Sequence, residues 1–165
     1  SWAELQNAQR LTLRLPKTGM AVINDVGAAN DIHPRNKKAV GERLSRWALH
    51  GEYGQNDLVA SGPLYRGFKL EEGRIRITFD NAAGVTTSDG KKPARFEISG
   101  EDRIWRWAEV SLDGESAIVS NGDVPDPVAV RYAWASNPKG ANLVNAAGLP
   151  ASLFRTDSWK LSTER

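Results

Sequence analysis

Apolar positions recur at two different periods along this chain, and the change of period divides it. In residues 1–14, Trp2, Leu5, Ala8 and Leu11 fall three apart on one face. Ser1 is placed to cap, Glu4 stands three residues on, and Pro16 closes the segment, which together predict an amphipathic helix. Met20, Ala21, Val22 and Ile23 form a short unbroken apolar run, read as a buried strand. A polar loop holding Asp25, Gly27, Asn30 and Asp31 follows. Helical spacing returns at Val40, Leu44, Trp47 and Ala48, predicting a second helix over 37–49 with Asn36 as its N-cap. Helix, strand, loop and helix make an α/β fragment.

Beyond Tyr53 and Gly54 the period drops to two. Arg74 to Phe79 alternates polar and apolar, as do Phe96-Glu97-Ile98, the stretch 104–112, Ala117-Ile118-Val119 and Val128 to Tyr132. The turn pairs Glu72-Gly73, Asp89-Gly90, Asp113-Gly114 and Asn121-Gly122 separate these runs and favour tight hairpins. Short strands at this spacing predict an antiparallel β-sandwich of jelly-roll type. The chain thus divides into an α/β part (1–53), a linker (54–63), a sandwich (64–135) and an ordered loop tail (136–165). The tail is expected to pack back on the first part, chiefly through Asn142 to Asn145.

Composition narrows the function classes. With 165 residues, 40% hydrophobic and 25% charged, the sequence is globular rather than disordered. Twenty-two basic residues against twenty acidic leave a net charge of +2, too balanced to predict a nucleic-acid or anionic membrane partner. No apolar run nears the ~20 residues of a membrane span. Cysteine is absent, which excludes disulfides, thiolate metal sites and cysteine nucleophiles. Two histidines at unrelated positions imply no metal, and nothing implies a cofactor.

The candidate chemistry lies in Asp31-Ile32-His33-Pro34-Arg35-Asn36-Lys37. Proline restricts the residue before it, so His33 is held firmly at the mouth of the second helix. Residues two apart in extended backbone project to one side, which lets Asp31 and His33 converge. A carboxylate and an imidazole are half of a hydrolase's acid–base machinery. The activated nucleophile is missing, because no serine here sits in a Gly-Asp-Ser or Gly-x-Ser-x-Gly setting. The plainer alternatives are that His33 caps the helix and that Asp31 merely forms a turn.

Several blocks together resemble the sialate O-acetylesterase family: Thr18-Gly19-Met20-Ala21-Val22, Asn30 through Lys37, Ser61-Gly62-Pro63-Leu64-Tyr65, Val128 through Trp134, Gly148-Leu149-Pro150-Ala151-Ser152 and Phe154-Arg155-Thr156-Asp157. They occur in the family's order across nearly the whole chain. That family lies within the SGNH (GDSL-like) hydrolases, so the resemblance implies part of an α/β/α esterase domain joined to the sandwich. It implies removal of O-acetyl groups from sugars, in an extracytoplasmic setting. It further implies that the nucleophilic serine and the oxyanion-hole Gly and Asn lie on an N-terminal portion outside this chain. The chain alone is then expected to be inactive and to need that portion as its partner.

His33 matches the family's catalytic histidine and Asp31 its neighbouring acid. The broad signature puts the acid three residues before the histidine, where this chain has Asn30. An amide cannot stabilise an imidazolium by charge, so Asp31 is preferred, with Asp25 the weaker candidate. Arg35 is close enough in sequence to meet an anionic sugar; Lys37, Lys38, Arg43 and Arg46 continue a basic run read as a solvated helix face. Gly54-Gln55-Asn56-Asp57 mimics the oxyanion-hole asparagine motif but follows the histidine block, so it reads as a linker turn. His50 reads as a helix-end charge partner or a plain surface residue.

A rival reading is a non-catalytic sandwich that binds carbohydrate. Trp105 and Trp107 are predicted to share one strand face, both inside as core or both outside as a sugar platform. If the first part is a fragment, Trp2, Val22, Ile23, Val40, Leu44 and Trp47 should show an unusually apolar surface.

Overall fold

The computed structural model describes residues 1–164. Helix α1 runs over Trp2–Leu11, with the Ser1 hydroxyl accepting from the Glu4 N–H, and continues into a 3-10 turn over Thr12–Arg14. Helix α2 spans Lys37–Gly51, and the Asn36 Oδ1 accepts the Ala39 N–H at 3.1 Å, the capping bond expected of that residue.

Met20 to Ile23 was expected to form a strand, but among the described residues it pairs with none. Its carbonyls are satisfied by α2 side chains instead. Trp47 Nε1 donates to Met20 O at 2.9 Å, and Arg43 Nη1 donates to Val22 O at 2.6 Å. Residues 43 and 47 are one helical turn apart, so both reach the same side of the segment. Gly19 permits the close approach: a Cβ there would sit 2.6 Å from Trp47 Cβ. A strand needs a neighbouring strand, and none of the described residues forms one beside that segment.

The remainder is two antiparallel sheets sharing one core. The first sheet, ordered β1-β2-β7-β6, comprises β1 (Leu64–Glu71), β2 (Arg74–Asp80), β7 (Ser116–Ser120) and β6 (Glu109–Asp113). The second, ordered β10-β8-β4-β5, comprises β10 (Phe154–Arg155), β8 (Ala129–Tyr132), β4 (Phe96–Ser99) and β5 (Arg106–Trp107). A further two-stranded sheet pairs β3 (Thr86–Thr87) with β9 (Leu143–Val144). The β1–β2 hairpin turns on Glu72-Gly73 with Gly73 at φ +66°, where a Cβ would be strained.

Alternation along β2 buries Ile75, Ile77 and Phe79, which meet Val119 of β7 and, from the other sheet, Phe96, Ile98 and Val130. Phe154 lies at the centre. Its ring stacks on Tyr65 at 4.9 Å and meets Phe79, Tyr132 and Phe96 at 5.9, 6.1 and 6.2 Å. Each such fully buried side chain contributes about 2 kcal/mol from leaving water. The Tyr132 hydroxyl accepts the Leu143 N–H at 3.1 Å, and burial pushes its pKa well above the usual tyrosine range.

The tail therefore supplies two strands and core residues Leu143, Leu153 and Phe154 to the sandwich. Asn145 Nδ2 donates to the carbonyls of Ser61 and Asn81, both at 2.9 Å, and Asn24 Nδ2 donates to Ala151 O at 3.1 Å. Trp105 and Trp107 do not share a strand face: β5 begins only at Arg106. Trp107 is 61% exposed with Arg95 over its ring, whereas Trp105 is half-buried against Trp159.

Candidate active site

The loop joining residue 24 to α2 is fixed at both ends. At its start, Arg43 grips Asp25 with both guanidinium nitrogens, at 2.6 and 2.7 Å, while holding Val22 O. Arg43 had read as part of a solvated helix face, yet its side chain is only 14% exposed. Fork geometry suits arginine to this bidentate bond, and a buried stem brings it to the loop. Arg46, from the same run, donates to Val59 O at 3.1 Å and ties the linker to the helix.

Within the loop, the Asp31 N–H donates to Ala28 O, and Asp31 Oδ1 accepts the His33 N–H at 2.8 Å. This is the side-chain-to-backbone turn that a short carboxylate makes two residues ahead. Pro34 then fixes the chain, Lys37 N–H donates to Arg35 O at 2.8 Å, and Asn36 caps α2. The backbone on either side of His33 is set by these local bonds, with Arg43 anchoring the start of the loop.

Asp31 and His33 are adjacent, but their contact runs from carboxylate to main-chain N–H. The His33 imidazole is exposed and makes no hydrogen bond among the described residues. One Asp31 oxygen remains outside that bond. Asp25 has both oxygens on Arg43, and Arg35 is exposed with no ion pair among the described residues. His50 Nδ1 lies 3.0 Å from Leu58 O, pinning the linker to the end of α2. Gly54 to Asp57 forms an exposed turn in which Asn56 N–H donates to Gly54 O at 2.9 Å.

Serine hydroxyls engage elsewhere: Ser45, Ser99 and Ser152 donate to main-chain oxygens, and Ser162 donates to Glu4. Chemically, the loop presents an exposed imidazole and carboxylate, and among the described residues no serine hydroxyl is hydrogen-bonded to either.

Beside this loop lies an open groove of about 490 Å³ between α1, α2 and the segment 19–24, floored by Ser152 and Leu153. Trp2, Leu5, Ile23 and Leu44 line it and remain 54, 48, 38 and 49% exposed. Val22, Val40 and Trp47, expected on the same surface, are half-buried. These large apolar side chains together make an exposed apolar patch on this face of the chain.

No family model matches the chain. It is 34% identical to the sialate O-acetylesterase of Mus musculus over 136 aligned positions, covering 76% of this chain and 25% of that protein. The Homo sapiens sialate O-acetylesterase is likewise 34% identical, over 139 positions, with the same coverage. A crystal structure of a carbohydrate acetylesterase from Xanthomonas citri superposes with a TM-score of 0.92 at 43% identity, over 96% of this chain and 37% of that one. The chain belongs to the sialate O-acetylesterase family.

As a sialate O-acetylesterase family member it spans about a quarter of the length of the relatives it matches in sequence. Arg43 and Trp47 are the residues of this family member that sequence reasoning underrated. Their spacing of four on α2 was the available signal, since two donors one turn apart can hold two alternate carbonyls of a facing segment.

Proposed function

We propose that this chain is the C-terminal portion of a carbohydrate O-acetylesterase, an α/β esterase remnant joined to a β-sandwich. In this reading His33 is the general base and acid, Asp31 its acid partner, and an N-terminal portion brings the serine and the oxyanion hole. The observation that carries it is the open apolar groove lined by the segment 19–24, which continues along the chain into the loop that holds His33. The family relationship agrees with it, and each relative is several times longer than the chain's matching part.

In the reaction, the serine Oγ attacks the acetyl carbonyl while His33 takes its proton. Collapse of the tetrahedral intermediate releases the sugar oxygen, which recovers the proton from His33. Water, deprotonated by His33, then hydrolyses the acetyl-enzyme to acetate and free serine. Asp31, through its second oxygen, orients the imidazole and stabilises the cation formed in each half. Arg35, projecting from the same loop, contacts an anionic sugar where the substrate carries one.

The test is turnover of an acetylated sugar by a complex or chain that includes the serine portion. His33→Ala lowers it by about four orders of magnitude. Folding is untouched, because the side chain is exposed. Asp31→Asn separates the two roles of that residue: an amide oxygen still accepts the His33 N–H, so the turn stays while the charge is lost and turnover drops. Near-normal turnover by His33→Ala would remove the histidine from the mechanism.

A further inference from the structure

We propose that the sandwich carries a binding subsite for one neutral sugar residue, in a hollow walled by Trp105, Trp134 and Trp159. The hollow measures about 160 Å³, and Glu4 and Asp157 line it with Arg131. None of these residues belongs to the loop 25–36, and the inference goes beyond the esterase reading.

The three indoles are held by an alternating stack of cations and rings. Arg131 lies over Trp105 at 4.3 Å, Trp105 meets Trp159 at 5.3 Å, Arg103 covers Trp159 at 5.3 Å, and Arg155 covers Trp134 at 5.6 Å. Glu97 fixes Arg131 from behind through two bonds of 2.8 and 2.9 Å. Such a stack by itself is a structural device.

Two carboxylates make it more than that. The Asp157 side chain is 4% exposed; Oδ1 accepts from the Arg155 guanidinium and the Trp159 N–H, but Oδ2 is buried and has no partner. Glu4, its side chain 10% exposed, accepts the Ser162 hydroxyl at Oε1 at 2.7 Å. Its Oε2 is buried without a hydrogen bond, the Ser1 ammonium standing off at 3.6 Å. A buried acceptor left unpaired is costly, so Asp157 Oδ2 calls for a donor from outside, whereas Glu4 Oε2 has the Ser1 ammonium as its ionic partner.

The chemistry of the walls selects the donor. Hydroxyl groups satisfy carboxylate oxygens, guanidinium N–H groups satisfy ring and hydroxyl oxygens, and the apolar face of a pyranose stacks on indole. The space is several times the ~30 Å³ share of one water. Of the lining cations, Arg131 is already paired with Glu97 and Arg155 with Asp157, leaving the exposed Lys160 to face Glu4 and Asp157, and this near balance of charge favours a neutral sugar.

The experiment is a titration of the isotope-labelled chain with D-xylose, D-glucose, D-galactose and N-acetylneuraminate, followed at the six indole N–H resonances assigned by Trp→Phe variants. The expected result is saturable millimolar shifts at Trp105, Trp134 and Trp159 with a neutral sugar, while Trp2 and Trp107 stay still. Asp157→Asn and Glu4→Gln should each weaken that binding about tenfold. Absence of shifts at those three indoles with every sugar overturns the proposal and leaves the hollow to water. Equal or tighter binding of N-acetylneuraminate overturns the neutral selectivity. Undiminished affinity in both folded variants overturns the role of the carboxylates.

Discussion

Replacing Phe154 by alanine is the sharpest probe of how this chain holds together. Phe154 lies in β10, beyond the region where the sequence places strands, yet it is fully buried and ringed by Tyr65, Phe79, Phe96 and Tyr132 from both sheets. Truncating a buried phenylalanine costs about 3–5 kcal/mol, the spread reflecting how far the site collapses. Here the wall residues belong to paired strands on opposite sheets and move little, so about 4 kcal/mol is expected. With a urea dependence near ~2 kcal/mol per molar, the unfolding midpoint falls by about 2 M. Phe154→Leu keeps most of the volume and should cost about 1 kcal/mol. The assay is urea unfolding of the wild type and both variants, followed by circular dichroism and fluorescence. A loss below about 1 kcal/mol for Phe154→Ala, with sheet signal retained, would show that the sandwich closes without the tail and refute the reasoning.

Two further outcomes follow from the contacts. Arg43→Met keeps the buried stem but removes three hydrogen bonds; because Asp25 is 38% exposed and returns to water, the net cost is about 1 kcal/mol. Amide exchange at Val26 and His33 should quicken by about fivefold, and unchanged exchange would mean the loop is fixed by its own turns. Glu4 has its pKa lowered from 4.5 to about 2, first of all by the hydrogen bond it accepts from the Ser162 hydroxyl. A depressed carboxylate stabilises the fold above its unfolded pKa and loses that contribution as pH falls through the folded one. The midpoint difference between wild type and Glu4→Gln should therefore be constant above pH 4.5 and shrink to nothing towards pH 2. A difference independent of pH would assign Glu4 a packing role only.

Local order was legible because local chemistry sets it. Ser1 and Asn36 cap the helices as their side chains allow, and the alternation of Ile75, Ile77 and Phe79 turns one face of β2 inward. His33 and Asp31 were found as neighbours because a single residue, Ile32, separates them. Their contact was not legible: both a carboxylate–imidazole bond and a turn suit that spacing, and the Asp31 oxygen sits on the main chain. The segment 20–23 reads as a strand from its composition, yet strand formation depends on a neighbour that no local pattern announces. Arg43 looked like one charge in a solvated run because only the fold brings Asp25 to it.

The sequence by itself thus determined the two helices, the hairpins on Glu72-Gly73 and Asp113-Gly114, the loop that presents His33 and the family relationship, whereas Asp89-Gly90 and Asn121-Gly122 join strands that do not pair with each other. Tertiary structure alone decided that Phe154 completes the core, that Trp105 faces Trp159 rather than aligning with Trp107, and that Glu4 and Asp157 border one hollow. These pairings join residues from 22 to 153 positions apart in the chain. Contacts at such separations are set by how whole surfaces fit and by which buried polar atoms find partners, and neither quantity is written in any local period.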